Sequence, residues 1–169
     1  MANDFSEVEM VGRLIPYDWY DAGSNQVRRG DDPTNLFEQG FVYGDPELLE
    51  ILEIPMIVGN RKNALDEPNS VIITQRKADK LFPGEDAVGK TLFSMIMKKG
   101  LIKITGIIQN RPANSHLQFD YMLTLTEREF WNGEQTSWCC SNYNPYIKVK
   151  EGVDIALLEE KMDIIRDNI

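Results

Sequence analysis

The strongest chemical signal in the chain is the octapeptide Gly84-Glu-Asp-Ala-Val-Gly-Lys-Thr91, which satisfies G-x-x-x-x-G-K-[ST], the pattern of a phosphate-binding loop. Such a loop follows a β-strand and opens an α-helix, so that backbone N–H groups and the positive helix end converge on phosphate. Here the order is reversed. A helical pattern, Gln75 to Phe82, precedes the match, and the β-like run Leu92 to Met97 follows it. Glu85 and Asp86 would also set two negative charges where polyphosphate must lie, and no later apolar strand ends in a magnesium-binding Asp. The match reads as a turn from helix into strand, with the Lys90 ammonium directed to solvent.

The other chemistry-bearing residues assemble into no site. His116 is the only histidine, which excludes a multi-histidine metal centre. Ser115, His116 and Asp120 invite a hydrolase reading, but the members of a triad approach from separate segments, and no G-x-S-x-G elbow is present. Cys139 and Cys140 are adjacent, a spacing that closes a disulfide only through a strained ring; two thiols are expected, and neither C-x-x-C redox nor zinc chemistry fits. Carboxylates are scattered over caps and surfaces with no pair standing out. Met10, Met95 and Met97 read as strand packing, and Tyr17, Trp19 and Tyr20 as either a buried cluster or an interface. No residue is therefore assigned a catalytic, cofactor-binding or metal-ligating role, no cofactor is expected, and ligand-binding residues stay unassigned.

With 27 acidic against 18 basic residues the formal charge is -9, which repels nucleic-acid phosphate and anionic lipid alike unless a local patch overrides it. The largest basic cluster, Arg28-Arg29, is followed at once by Asp31 and Asp32. There is no apolar run long enough to span a bilayer and no leader-like N-terminus, so an extracytoplasmic location would require export information from outside these 169 residues.

Gly and Pro punctuation makes the elements short. Three segments read as helix. Asp45-Pro46-Glu47 supplies a cap, a first-turn proline and an acid before Leu48, Leu49, Ile51 and Leu52. Thr74 caps a helix through Phe82 that Pro83-Gly84 stops. Asp154 caps the last, whose Ile155, Leu158, Met162, Ile165 and Ile169 form one stripe. A fourth is expected at Thr126 to Trp131, where Thr126 and Glu129 have capping-box spacing. Strands are expected at Val71–Ile73, Leu92–Met97, Leu101–Ile108, Tyr121–Leu125 and Tyr146–Val149, the second and third joined as a hairpin. Residues 13–40 read as loops with one or two short strands. The fold class is α+β, a mixed α/β domain.

The segment VIITQRKADKLFPGEDAVGKTL, Val71 to Leu92, resembles the signature of MacB-like periplasmic core domains of FtsX-type permeases: a strand, a short helix with an Ala-x-x-Leu-Phe core, a Gly-acidic turn, then Val-Gly-Lys before the next strand. Ala78, Leu81, Phe82, Gly84, Val88, Gly89 and Lys90 match it. The resemblance extends upstream through Val42 to Glu47 and Ile54 to Asn60, and downstream through Ile104 to Ile108, Pro112 to Tyr121 and Pro145 to Asp154. It thus covers most of the chain from about Phe41. Leu48-Leu49 stand where the family usually carries aromatics, and the spelling Asn114 to Tyr121 is similar to that of Bacteroides-like permeases.

The resemblance implies an excised periplasmic domain of two lobes: a mixed α/β outer lobe, about 1–62 and 112–169, and a smaller strand-rich lobe inserted at about 63–111. It implies a non-catalytic part of an ABC-transporter permease at the periplasmic face of the bacterial inner membrane. Such a domain relays conformational change or docks substrate and partner proteins. Its partners would be the remainder of the permease, a cytoplasmic ATP-binding subunit, and a periplasmic adaptor or amphiphilic substrate. No nucleic acid is among them, and the isolated domain is expected to be monomeric. Two other classes remain to be discriminated. A stand-alone ligand-binding module would show an apolar pocket between lobes. A P-loop enzyme would show strand-then-helix order around Gly84.

Overall fold

The computed structural model describes residues 5–16, 22–30, 32–94, 100–134 and 143–166. Nine strands and three helices follow in the order β1 (Val8–Ile15), β2 (Gly23–Arg29), β3 (Leu36–Gly44), α1 (Leu48–Ile51), β4 (Met56–Val58), β5 (Ser70–Thr74), α2 (Gln75–Leu81), β6 (Thr91–Ser94), β7 (Gly100–Ile108), β8 (Tyr121–Thr124), β9 (Asn144–Val149) and α3 (Ile155–Arg166). The mixed α+β class is as expected.

All nine strands belong to one sheet, and part of that sheet closes. β2 bonds antiparallel to β6 along one edge and to β3 along the other. The order β2-β6-β7-β5-β8-β3 therefore returns to β2 as a six-stranded ring, with β1 and β9 continuing beyond β3 and β4 attached to β7. Closure removes the free edges that open sheets must otherwise protect. β3 makes it possible. Its first half, from Leu36 to Phe41, pairs with β2, and its second half pairs in parallel with β8 and antiparallel with β1.

Strand periodicity sends alternate residues into two cores. Phe41 and Tyr43, Val71 and Ile73, and Tyr121 and Leu123 face the ring interior, joined there by Ile104. Val42, Ile72 and Met122 face a second layer made by Leu48 and Leu49 of α1 with Leu65 and Phe119. Hence β5 and β8 are buried on both faces and read as unbroken apolar runs. Phe41 and Tyr121, opposite in register, stack at 4.2 Å between ring centroids. A third, smaller cluster seats Leu158 and Met162 of α3 against Phe5, Val8 and Ile147.

Residues 63–111, the expected inserted lobe, supply β5, β6 and β7 to this same sheet, together with the helix α2. β5 lies between β7 of the segment and β8 outside it, and β6 bonds to β2 outside it, so the ladder runs across both proposed boundaries. Four local expectations need correction, the first being the Asp45 cap: α1 begins after Glu47 without a side-chain cap bond, and the Asp45 carboxylate is taken by Arg13. Residues 13–40 contain the end of β1, all of β2 and half of β3 rather than mostly loop. Thr126 to Trp131 forms turns and no helix: Glu127 is left-handed at φ 55°, and the Thr126 hydroxyl donates to the Leu65 carbonyl. Thr74 precedes α2 but does not cap it, because its hydroxyl is turned to Asp120. The β6–β7 antiparallel pairing and the Asp154 cap of α3 are present. Ile155 of the proposed α3 stripe is half exposed, and Ile169 lies outside the described residues, as do Tyr17, Trp19, Tyr20, Met95, Met97, Cys139 and Cys140.

At seven residues α2 is too short to persist without tertiary contacts. Leu81 and the adjoining Phe82 are both buried in the ring interior cluster. Leu81→Ala and Phe82→Ala are each expected to destabilise by about 2–5 kcal/mol in chemical denaturation. Losses below about 0.5 kcal/mol for both, the level of a surface substitution, would contradict this packing.

Candidate functional site

The densest polar constellation joins β3, α2 and the residue before β8. Glu38 occupies an inward position of β3, opposite in parity to the solvent-facing Phe37. Its carboxylate, only 1% exposed, accepts hydrogen bonds from the ammonium groups of Lys77 and Lys80, one helical turn apart on α2. Asp120, 8% exposed, accepts from Arg76 Nε at 2.6 Å and from the Thr74 hydroxyl at 2.8 Å through Oδ1, while Lys77 Nζ lies 3.6 Å from Oδ2. Backbone bonds lock the same junction: the Asp120 amide donates to the Gly40 carbonyl at 2.8 Å, and the Thr74 amide to the Asp120 carbonyl at 3.0 Å. Gly40 has φ +86°, and a Cβ there would sit 3.0 Å from the Asp120 nitrogen, so both the turn and the close approach require glycine.

Burial alone would raise the Glu38 carboxyl, but the hydrogen bonds from Lys77 and Lys80 outweigh it and hold the group below its ordinary range. Burial, then the Glu38 charge, pushes the neighbouring Tyr121 phenol far above its usual value. The cluster thus keeps an ionised carboxylate and a neutral phenol in place. Its cations and carboxylates answer one another, and the chemistry it performs is to bind α2 to two strands. Sequence reasoning missed it because its members lie about forty residues apart.

A second polar group lies where the parallel strands β3 and β8 end. Arg13 grips Asp45 through Nε at 2.8 Å and Nη2 at 3.0 Å, and the Arg13 amide donates to the same carboxylate. The Arg13 guanidinium lies over Tyr143, whose hydroxyl donates to Glu134 at 2.6 Å. A cleft of about 490 Å3 opens beside them, lined largely by charge, including Arg13, Asp45, Glu47, Glu127 and Arg128. Pro46 and Leu125 are its apolar lining residues, fewer than the predominantly hydrophobic side chains that line a typical small-molecule pocket.

Among the described sequence candidates, Asp120 belongs to the first group and the others sit apart from both. Gly84 to Thr91 connects α2 to β6, the helix-then-strand order expected of the turn. Lys90 pairs with Glu85, and its ammonium lies 5.1 Å above the Phe82 ring, so it is partly covered by these neighbours rather than simply solvated. Exposed His116 has Nε2 3.5 Å from the Tyr146 hydroxyl; Ser115 bonds to Arg111 and Leu117, and Asp120 belongs to the ion cluster. The three do not converge. Among the described residues no group of three or more His, Cys, Asp and Glu is placed to hold a metal ion, and no helix is long and apolar enough to cross a membrane.

Glu38→Gln keeps the volume and removes the charge that partners Lys77. A loss of about 2–4 kcal/mol is expected at neutral pH, reduced from a fully buried pair by the exposure of Lys80. Because Glu38 is held below its unfolded value of 4.5, its contribution is complete above that pH and is lost as pH falls through the folded value. Denaturation midpoints measured from neutral to acid pH should therefore converge for wild type and Glu38→Gln. A constant gap between them would refute the ionic role.

The same fold recurs in solved structures. A domain from Porphyromonas gingivalis described as part of a permease protein superimposes with a TM-score of 0.78 at 23% identity, covering 98% of this chain and 72% of that one. The periplasmic region of MacB from Actinobacillus actinomycetemcomitans gives 0.65 at 9% identity, over 98% and 69%. The extracellular domain of the noncanonic ABC-type transporter YknZ from Gram-positive bacteria gives 0.53 at 14%, over 92% and 71%. No curated protein matches in sequence. The family description "MacB-like periplasmic core domain" matches residues 2–165, reaching further toward the N-terminus than the motifs around Phe41 to Asp154. With nearly the whole chain matched and the fold shared, the protein belongs to the MacB-like periplasmic core domain family.

Proposed function

We propose that this domain is a non-catalytic extracytoplasmic module of an ABC-transporter permease, which transmits conformational change between membrane-embedded parts and proteins docked outside the membrane. The observation that carries this reading is the family match over residues 2–165. Two structural features support it. The closed strand ring has few soft edges, and the Glu38–Asp120 cluster fastens α2 to it, so a displacement applied to one element moves the others. A relay needs at least two arrangements with different partner affinity, which a rigid body supplies by changing place rather than shape.

In this reading the domain stands at the periplasmic face of the inner membrane. Its partners are the rest of its permease, a cytoplasmic ATP-binding subunit, and a periplasmic adaptor or amphiphilic substrate; ATP is turned over elsewhere. The alternative of a free-standing ligand-binding module has the cleft beside Arg13 as its site, but the charged lining there favours contact with polar partners over capture of an apolar ligand.

Spin labels in the native permease test the relay. Distances between labels at Gln39 and Lys150, both exposed, should stay constant across nucleotide states, while distances from either to the ATP-binding subunit change. Fixed distances to that subunit in every state, or a rearrangement between the two labels, would contradict it. For the purified domain, calorimetry should show no binding of magnesium-ATP at millimolar concentration, and Lys90→Ala should stay within about 0.5 kcal/mol of wild-type stability. Saturable binding abolished by that substitution would restore the phosphate-loop reading. Sedimentation should find a monomer at micromolar concentration; a tight dimer would be the contrary result.

A further inference from the structure

The solvent-facing side of the ring over β3, β2, β6 and β7 differs from the rest of this acidic chain. Alternation turns Phe37 of β3, Gln26 and Arg28 of β2, Phe93 of β6, and Leu101 and Lys103 of β7 outward. Register places them side by side: Gln26 opposes Phe37, Arg28 opposes Phe93, and Phe93 opposes Leu101. Phe37 is 64% exposed and Leu101 57%, among the most exposed large apolar residues described. The Arg28 guanidinium lies over the Phe93 ring, 4.4 Å from its centroid, and has no ion-pair partner among the described residues. None of the outward positions of these four strands carries a carboxylate, although the chain as a whole is at -9. The nearest acid recorded against them is Glu67, 3.6 Å from Lys103.

We infer that this sheet face is a docking surface for a partner protein that presents acidic side chains around an apolar centre. Aromatic residues and Arg at the centre, Gln and Thr between them and no buried acid is the composition of protein interface cores, where aromatic and Arg side chains supply most of the binding energy. The local charge is opposite to that of the molecule, so an acidic partner is drawn to this face and repelled by the others. A bilayer fits less well. Two basic side chains fall short of the cluster of about four to eight that holds a segment on anionic lipid, and the remaining charge of the domain opposes approach to such a surface.

The inference deepens the docking half of the proposed function and rests on it. It also fails separately: a partner bound to another face would keep the docking reading and remove this surface. The probe is a pair of amphipathic peptides of about 18 residues, one with Leu on one face and Glu on the others, the second with Lys in place of Glu. Amide chemical-shift mapping of the folded domain should place the Leu/Glu peptide on Phe37, Arg28, Phe93 and Leu101. Arg28→Glu and Leu101→Asp should each weaken it about tenfold, while Ile57→Asp, at an exposed site on β4, leaves it unchanged. Unfolding midpoints of the three variants confirm that each is folded. Absence of binding, mapping to another face, equal binding of the Leu/Lys peptide here, or flotation of the domain with phosphatidylglycerol vesicles dependent on Arg28 would each overturn the proposal.

Discussion

A carboxylate buried between a strand and a helix is the constraint on which the rest of this structure depends. Glu38 can remain ionised at 1% exposure only because Lys77 and Lys80 reach it from α2, and those lysines reach it only while α2 lies across the β3–β8 junction. Ion pairs taken out of water contribute little net stability, since desolvation offsets most of the attraction, yet a displaced α2 would leave charge unanswered and be strongly disfavoured. The cluster therefore selects one placement of a helix whose own apolar side is small. Asp120 extends the selection to β5 and β8 through Thr74 and Arg76.

The placement of α2 in turn makes ring closure consistent with a filled interior. Ala78, Leu81 and Phe82 occupy the same cluster as Phe41, Tyr43, Val71 and Leu123. Strands buried on both sides stand at the centre, and β2, which carries one apolar residue inward at Val27, completes the ring where one face meets water. The phosphate-loop look-alike finds its use at this point. Gly84 and Gly89, both at positive φ, let the chain turn from α2 into β6 with Lys90 and Glu85 paired over Phe82. Its residues suit a tight reversal, which is why their spelling coincides with a loop of different purpose.

Much of this was legible where apolar pattern and length agree. The runs Val71–Ile73 and Tyr121–Leu125 are strands because nothing interrupts their burial, Leu101–Ile108 is one because buried and exposed residues alternate along its first half, and Leu81-Phe82 before Pro83-Gly84 marks the end of α2. β2 was illegible for the converse reason: Gly-Ser-Asn-Gln-Val-Arg-Arg has almost no alternation, and its pairing with β3 and β6 is imposed by neighbours rather than propensity. The Thr126–Glu129 spacing suggested a capping box, but Thr126 serves the Leu65 carbonyl instead, a contact across sixty-one residues that local spacing cannot show. The ion cluster was hidden similarly, although Glu38 at the inward parity of an alternating Leu-Phe-Glu-Gln stretch is a signal that a buried acid awaits a partner.

On this account the cluster unites α2 with the strand ring, the rigidity that the proposed relay needs. Native-state amide hydrogen exchange reads it directly. If the cluster unites α2 with the ring, the protected amides of α2, β3 and β8 exchange with a common free energy close to that of global unfolding. Exchange of α2 by a separate, low-energy opening while β3 and β8 remain protected would contradict the account.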